Sequence, residues 1–173
     1  MRYDRGMGAK LKIIGVGSPF GDDRLGWIAA ERLRALPAYL SEKDSIDISI
    51  LDRPGAALIS HWQDADAVIL IDAVQSGAAP GTLHILSAED IDENTQLTSS
   101  HGFGIASTMA LARTLGELPE YFYLCGIEID PTNLGEEIGV STSEAINILV
   151  DRIEILVTSL LQSLPVTTSS NSF

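Results

Sequence analysis

The sequence predicts an α/β fold: a three-layer domain with a twisted, mostly parallel five-stranded sheet, helices on both faces and one antiparallel edge strand. Two observations support this prediction. Five short apolar or alternating runs are typical of strands, and segments with apolar residues at helical spacing alternate with most of them. Such an order places helices on both faces of a parallel sheet. Residues 11–162 are expected to form this single domain, with residues 1–10 and 163–173 as flexible tails.

The first half of the chain begins with a buried strand and a helix. Residues 11–16 are a short apolar run, as in parallel strands that are covered on both faces. The segment 22–35 repeats apolar residues at helical spacing, and Pro37 limits its end. The next predicted elements are a strand with period-two alternation at 46–51, a short helix at 56–62 and a buried strand at 67–71.

The second half begins with a predicted edge strand at 82–86, and a further strand is predicted at 121–127. Between them lies a predicted helix at 102–115, whose expected buried residues are Ile105, Met109, Ala112 and Leu115. The last element is a long helix opened by Ser141, whose spacing to Glu144 is that of a capping box. The expected apolar stripe of this helix consists of Ala145, Leu149, Ile153, Leu156 and Leu160.

The composition limits the kinds of partner. The formal net charge is −13, from 24 acidic and 11 basic residues. A surface of this sign does not suit nucleic acid, whose phosphates need basic partners, nor an anionic membrane. It suits a cationic peptide or a metal ion. No apolar run approaches the roughly 20 residues of a membrane span. The lone Cys125 lies in an apolar run and is expected to be a buried thiol, which fits a cytoplasmic protein.

Three acidic residues follow strand-like runs. Asp23 lies in the loop after the first strand, and Asp52 and Asp72 each end a later one. The carboxyl ends of parallel strands share one rim, where such sheets bind ligands. Carboxylates together with the imidazole of His101, which opens a predicted helix, suit a borderline divalent metal. Each Asp has the alternative role of a turn or helix cap. Of the adjacent pair, Asp22 is expected to cap the helix and Asp23 to serve the site.

Other kinds of site find less support. Gly15-Val16-Gly17 after a strand suggests dinucleotide binding, but the full fingerprint needs a glycine where Phe20 stands. The acidic pair at 22–23 would also repel a pyrophosphate, so a nucleotide-binding module is the weaker alternative. The sequence has neither the elbow motif of a serine nucleophile nor Cys or His pairs at zinc spacing. His61 and His84 are interpreted as surface or structural residues.

Four blocks of the sequence resemble one known family. Residues 15–26, GVGSPFGDDRLG, resemble the N-terminal signature of the hydrogenase maturation endopeptidases. Residues 71–74 together with 79–82 resemble the second block of that family, and residues 100–104 resemble the third, in which a histidine precedes a helix. Residues 126–128 resemble the strand end before the last helix. In this order and spacing, the resemblance covers nearly the whole chain.

The resemblance implies a twisted five-stranded sheet between helices and a specific activity. Members of the family remove a C-terminal extension from the large subunit of nickel–iron hydrogenases after nickel insertion. By resemblance, Asp23, Asp72 and His101 are metal ligands, and Asp52 is a further acidic residue near the cleavage site. The nickel is expected to come from the precursor, which is the implied partner. Two alternatives stay open: nickel acts in recognition with Asp52 as general base, or it acts in catalysis. A chaperone that holds the precursor without cleaving it is the rival function.

The sequence departs from the family pattern near the predicted site. Ser18 stands where asparagine is common, and Arg24 occupies a position that is usually small or apolar. Asp52 is followed by Arg53-Pro54-Gly55, where the family often has a flexible glycine-rich stretch that contacts substrate. These changes leave the predicted ligand set intact and concern which hydrogenase is recognised.

Overall fold

A computed structural model describes residues 10–41, 45–91, 98–99, 104–133, 135 and 137–164. Its strands are β1 (Leu11–Gly17), β2 (Ile46–Asp52), β3 (Ala67–Gln75), β4 (Leu83–Ser87), β5 (Thr98–Ser99) and β6 (Tyr121–Glu128). Its helices are α1 (Leu25–Ala35), α2 (Pro37–Ser41), α3 (Leu58–His61), α4 (Ile105–Leu115) and α5 (Val140–Ser163). Short 3-10 turns at Gly21–Arg24 and Gly55–Ala57 precede α1 and α3.

The sheet confirms the predicted architecture. Its main order is β2-β1-β3-β6-β4, in which the first four strands are parallel and β4 is the antiparallel edge strand. The structure adds the two-residue strand β5, which pairs antiparallel with Val74 and Gln75 at the carboxyl end of β3. A strand of two residues is too short to produce a periodic pattern, so the sequence did not predict it.

Apolar side chains pack against both faces of the sheet, as the three-layer prediction requires. On one face, Ile13 and Ile69 belong to a cluster with residues of α1 and α5. On the other, Ile14 and Leu70 belong to a cluster with Trp62, α3 and α4. Adjacent residues of β1 and β3 therefore contact opposite layers. This alternation decides the direction of every side chain at the carboxyl ends of these strands.

Helix α1 lies very close to β1, and this contact explains Gly26 of the helix and Gly15, the first glycine of the Gly15-Val16-Gly17 run. A Cβ atom on Gly26 would lie 2.1 Å from the carbonyl oxygen of Val16 and 2.7 Å from that of Ile71. A Cβ atom on Gly15 would lie 2.2 Å from the carbonyl oxygen of Gly26. The close packing of a helix on two strands therefore requires both glycines. It accounts for Gly15 without a bound nucleotide.

One predicted helix start and one predicted buried residue are wrong. The segment predicted as a helix from residue 22 begins as a 3-10 turn, and the α-helix starts at Leu25. In α4, Ile105, Met109 and Ala112 are buried as predicted, but the side chain of Leu115 is 57% exposed. The helix ends at that residue, and Gly116 takes a left-handed conformation that turns the chain away.

The start of α5 also differs from the prediction. The helix begins at Val140 after Gly139, and no side chain of the N-cap residue closes it, so the capping box predicted for Ser141 and Glu144 is wrong. The predicted stripe is confirmed, with only Leu156 partly exposed. Within the part of the chain that the structure describes, no helix combines the length and apolar character needed to cross a membrane.

Candidate active site

The order β2-β1-β3 brings together the strands from which three predicted site residues arise. Asp52 is the last residue of β2 and pairs in register with Gly17, the last residue of β1. Asp23 lies in the 3-10 turn that follows β1. Asp72 lies one position beyond Ile71, whose partner on β1 is Gly15. The main-chain positions of the three residues therefore lie toward the carboxyl rim of adjacent strands.

Asp72 does not end its strand, contrary to the prediction. Strand β3 continues to Gln75, because β6 pairs with it through Val74 and β5 pairs with its last two residues. The Asp72 side chain is fully buried, and the Ala73 N–H donates to its Oδ1 atom at 2.8 Å. By alternation it lies on the same face as Leu70, in the layer of α3 and α4. A buried carboxylate is costly unless donors or a cation compensate its charge.

Asp23 lies beside an open cleft of about 290 Å³. The Ser18 hydroxyl donates to its Oδ2 atom at 3.2 Å, and the Ser18 N–H donates to its carbonyl oxygen at 3.2 Å. The cleft lies between the loop after β1 and the loop after β6, and its lining includes Phe20, Gln75 and Asp130. Asp23 is therefore held by Ser18 at the edge of a space that a peptide segment can enter.

Asp52 lies at the surface, and its side chain is 51% exposed. Arg53 folds back on it: the Nε atom lies 2.6 Å from Oδ1, and the Nη2 atom lies 3.3 Å from Oδ2. The pKa of Arg53 is raised by its hydrogen bond to Asp52, then by the charge of Asp52, with a smaller contribution from Asp23. Asp23 thus lies within electrostatic range of this ion pair, although the two acidic residues come from different loops.

Asp22 has a different role from the one predicted. It is 2% exposed and caps neither of the helical segments that follow it. Its carboxylate instead accepts hydrogen bonds from the Gly139 N–H at 2.8 Å, the Thr142 hydroxyl at 3.2 Å and the Asn133 amide at 3.2 Å. Asp22 therefore stabilises the N-terminus of α5 from a distant part of the chain, a position that favours a negative charge.

Glu128, at the end of β6, is a second buried carboxylate with structural partners. The N–H and hydroxyl of Ser76 and the N–H of Gly77 donate to it, and the His84 Nε2 atom lies 3.0 Å from its Oε2 atom. Burial raises the pKa of Glu128, but these hydrogen bonds together hold it below its ordinary value. Sequence reasoning missed this group because His84 and Glu128 are far apart in the chain.

Two further predictions concern His101 and Cys125. His101 lies outside the described residues, and among those described no three His, Cys, Asp or Glu side chains form a group that would hold a metal ion. Ser99, two positions before His101 in the sequence, pairs with Val74 on the strand that carries Asp72. Cys125 is fully buried as predicted, and burial raises the pKa of its thiol to about 12, which makes it a poor nucleophile.

Several solved structures are similar to this fold. An endopeptidase from Escherichia coli, solved in solution, aligns with a TM-score of 0.69 and 25% identity, over 94% of this chain and 99% of its own. The E. coli hydrogenase maturating endopeptidase HybD aligns with a TM-score of 0.67 over 87% of this chain and 93% of its own. The identity to HybD is 23%, so that likeness concerns the fold alone.

Relatives of known family share sequence as well. The hydrogenase expression/formation protein HoxM of Azotobacter vinelandii is 35% identical over 139 residues, which is 79% of this chain and 64% of the relative. HupM of Azotobacter chroococcum is 28% identical over 82% of this chain and 66% of its own length. The chain thus spans about two thirds of the length of these curated relatives. The family model for hydrogenase maturation proteases, HycI, matches residues 34–160, a span that includes Asp52 and Asp72. The chain belongs to the hydrogenase maturation protease family.

Proposed function

We propose that this protein is an endopeptidase that removes the C-terminal extension of a nickel-loaded nickel–iron hydrogenase large-subunit precursor. Family membership supports the reaction class. The observation that carries the proposal to particular residues is the strand order β2-β1-β3, since it gathers Asp52, Asp23 and Asp72 toward one rim. Ligands of parallel sheets bind at this rim, and the partly exposed Asp23 borders an open cleft there.

In this proposal the nickel of the precursor binds to Asp23, Asp72 and His101. Two carboxylates and an imidazole are a suitable donor set for a borderline divalent ion. The burial of Asp72 supports this role, because a cation would compensate a carboxylate that lies in the sheet interior. The pairing of Ser99 with Val74 supports the inclusion of His101, since it ties the chain shortly before this residue to the strand of Asp72. Precursor without nickel would lack the ion that bridges the two proteins.

Asp52 is the general base in this proposal. Its side chain is half exposed at the end of β2, so a water molecule and the scissile peptide can reach it. Water attacks the carbonyl carbon of the scissile bond and transfers a proton to the Asp52 carboxylate. The C–N bond then breaks, and the proton passes to the leaving amine. The products are a new C-terminal carboxylate and the released extension.

The rival function is a chaperone that binds the nickel-loaded precursor without cleaving it. Mass spectrometry of a co-expressed large subunit, with and without this chain, distinguishes the two. A peptidase shortens the large subunit by the mass of its extension, and the same precursor from nickel-depleted cells keeps its full mass. Full-length precursor that stays bound to this protein in nickel-replete cells would support the chaperone and overturn the peptidase.

A further inference from the structure

Arg53 has an unusual backbone conformation immediately after Asp52. Its φ angle is +41°, in the left-handed region that favours glycine. Its N–H donates to the carbonyl oxygen of Gly17 at 3.2 Å, so the backbone of β1 holds the residue in this conformation. Pro54 follows with φ −67°. The hydrogen bond to β1 therefore fixes the point at the rim from which the Arg53 side chain extends.

The side chain of Arg53 forms a two-point contact with Asp52. Each carboxylate oxygen of Asp52 faces a different guanidinium nitrogen, at 2.6 Å for Nε and 3.3 Å for Nη2. A guanidinium carries five N–H donors in a planar fork that matches the shape of a carboxylate. The Arg53 side chain is 52% exposed, so the part of the fork that does not face Asp52 is directed to solvent at the rim.

This contact conflicts with the role of Asp52 as a base. Both carboxylate oxygens of Asp52 face guanidinium nitrogens, and a base needs one of these oxygens to accept the proton of the attacking water. Asp23 adds a second negative charge that favours the guanidinium at this place. The exposure of the pair means that solvent screens it, so exchange of one partner costs little. A second carboxylate can therefore take the place of Asp52 on the fork.

We propose that Arg53 determines substrate specificity at this rim by binding a carboxylate of the precursor segment next to the scissile bond, in exchange for Asp52. This inference rests on the proposed function, because the precursor has a scissile bond only if this protein cleaves it. The guanidinium transfers its two-point contact from Asp52 to the substrate carboxylate. The exchange releases the Asp52 carboxylate from the guanidinium, so that Asp52 can take up the proton of the attacking water once the substrate is bound. A precursor without a carboxylate at this place leaves Asp52 paired.

The test measures the dissociation constant of the nickel-loaded precursor for the full-length protein by calorimetry. Arg53→Gln removes the charge and the fork, while it leaves the left-handed backbone occupied by a residue with a Cβ atom. Arg53→Lys keeps the charge but not the fork. Arg152→Gln, at an exposed position on α5, is the matched control for the loss of one surface charge. In the precursor, each Asp and Glu near the C-terminus is changed to Asn or Gln in turn, and one extra glycine at the end displaces the terminal carboxylate.

The proposal expects Arg53→Gln to weaken binding about tenfold, the size of one charge-assisted contact, with partial recovery in Arg53→Lys and no change in Arg152→Gln. One precursor carboxylate should show the same loss when removed, with no further loss in combination with Arg53→Gln. Equal losses for every carboxylate, or full recovery by lysine, would reduce Arg53 to a general charge effect and overturn the proposal. If the wild type shortens the precursor while Arg53→Gln binds it unchanged, only this inference fails. If the coupling is found but the wild type does not shorten the precursor, the carboxylate pairing stands and the peptidase assignment fails.

Discussion

Four carboxylates around the carboxyl rim of this sheet form two pairs that differ in exposure and in partners, whereas Asp72, buried within β3, belongs to neither pair. Asp22 and Glu128 are 2% exposed, and backbone N–H groups and side chains of other loops donate to them. Asp23 and Asp52 are partly or largely exposed and are held by a neighbour in the same loop, Ser18 and Arg53 respectively. The first pair fixes the loops around the cleft, and the second pair remains accessible to a ligand. At the same rim, Asp22 and Glu128 thus have a structural role, whereas Asp23 and Asp52 belong to the proposed active site.

The largest expected effect concerns the exposed pair. If Asp52 is the general base, Asp52→Asn should slow precursor processing about a thousandfold, or about 4 kcal/mol in activation free energy. The free energy of unfolding should change by less than about 0.5 kcal/mol, because the side chain is half exposed. Processing is followed by mass spectrometry over time and stability by urea denaturation. If Asp52→Asn processes the precursor at the wild-type rate, Asp52 is not the general base.

The next effect concerns the buried pair. Asp22→Ala should destabilise the protein by about 3 kcal/mol, because it leaves the Gly139 N–H and the Thr142 hydroxyl without their acceptor. The helix-capping role predicted from sequence would cost only about 1 kcal/mol. Urea denaturation distinguishes the two values, and Asp23→Ala is the matched control at the adjacent position. Similar losses for the two variants would remove the distinction between buried and exposed carboxylates at this place.

The sequence contained enough information for the fold but not for this division. Apolar periodicity predicted the long helices and β2, since burial on one face repeats every 3.6 or 2 residues, and continuous apolar runs predicted β1 and β3, which are buried on both faces. The hydrogen bond from Gly139 to Asp22 joins residues 117 positions apart, and no local pattern records such a contact. The apolar run before Asp72 stops at Ile71 and therefore predicts a strand end at Asp72. A strand ends where main-chain pairing ends, and pairing continues through Val74.

A third prediction tests the nickel in the proposed site. Nickel-depleted precursor should bind this protein at least about tenfold more weakly than loaded precursor, or about 1.4 kcal/mol, because it lacks the ion that the proposed ligands bind. Asp23→Asn and His101→Gln should each reduce this ratio, because each removes a proposed ligand. The control Ser60→Ala should leave the ratio unchanged, because the Ser60 hydroxyl donates within its own turn at α3. Calorimetry with both precursor forms measures the ratio. Equal affinity for the two precursor forms would show that nickel has no part in recognition.

The smallest expected effect is the pH dependence that Glu128 contributes to stability. Its pKa is held below the ordinary value in the folded protein. A carboxylate with a lowered folded pKa adds stability above its unfolded pKa of about 4.3, and that stability is lost as pH falls through the folded pKa. The difference in unfolding free energy between the wild type and Glu128→Gln should therefore be constant near neutral pH and shrink below about pH 4.3.

The His84 Nε2 atom lies 3.0 Å from the Glu128 Oε2 atom, so a substitution at Glu128 also changes the surroundings of an imidazole. Both proteins are therefore compared in a His84→Gln background, where the remaining pH dependence of the difference belongs to Glu128. The hydrogen bonds from Ser76 and Gly77 persist in that background and should still hold the pKa low. A difference that stays constant down to pH 3 would mean that these donors do not favour the ionised form. Glu128 would then be buried without being stabilised in its ionised form, and only its burial would distinguish it from the exposed Asp23 and Asp52.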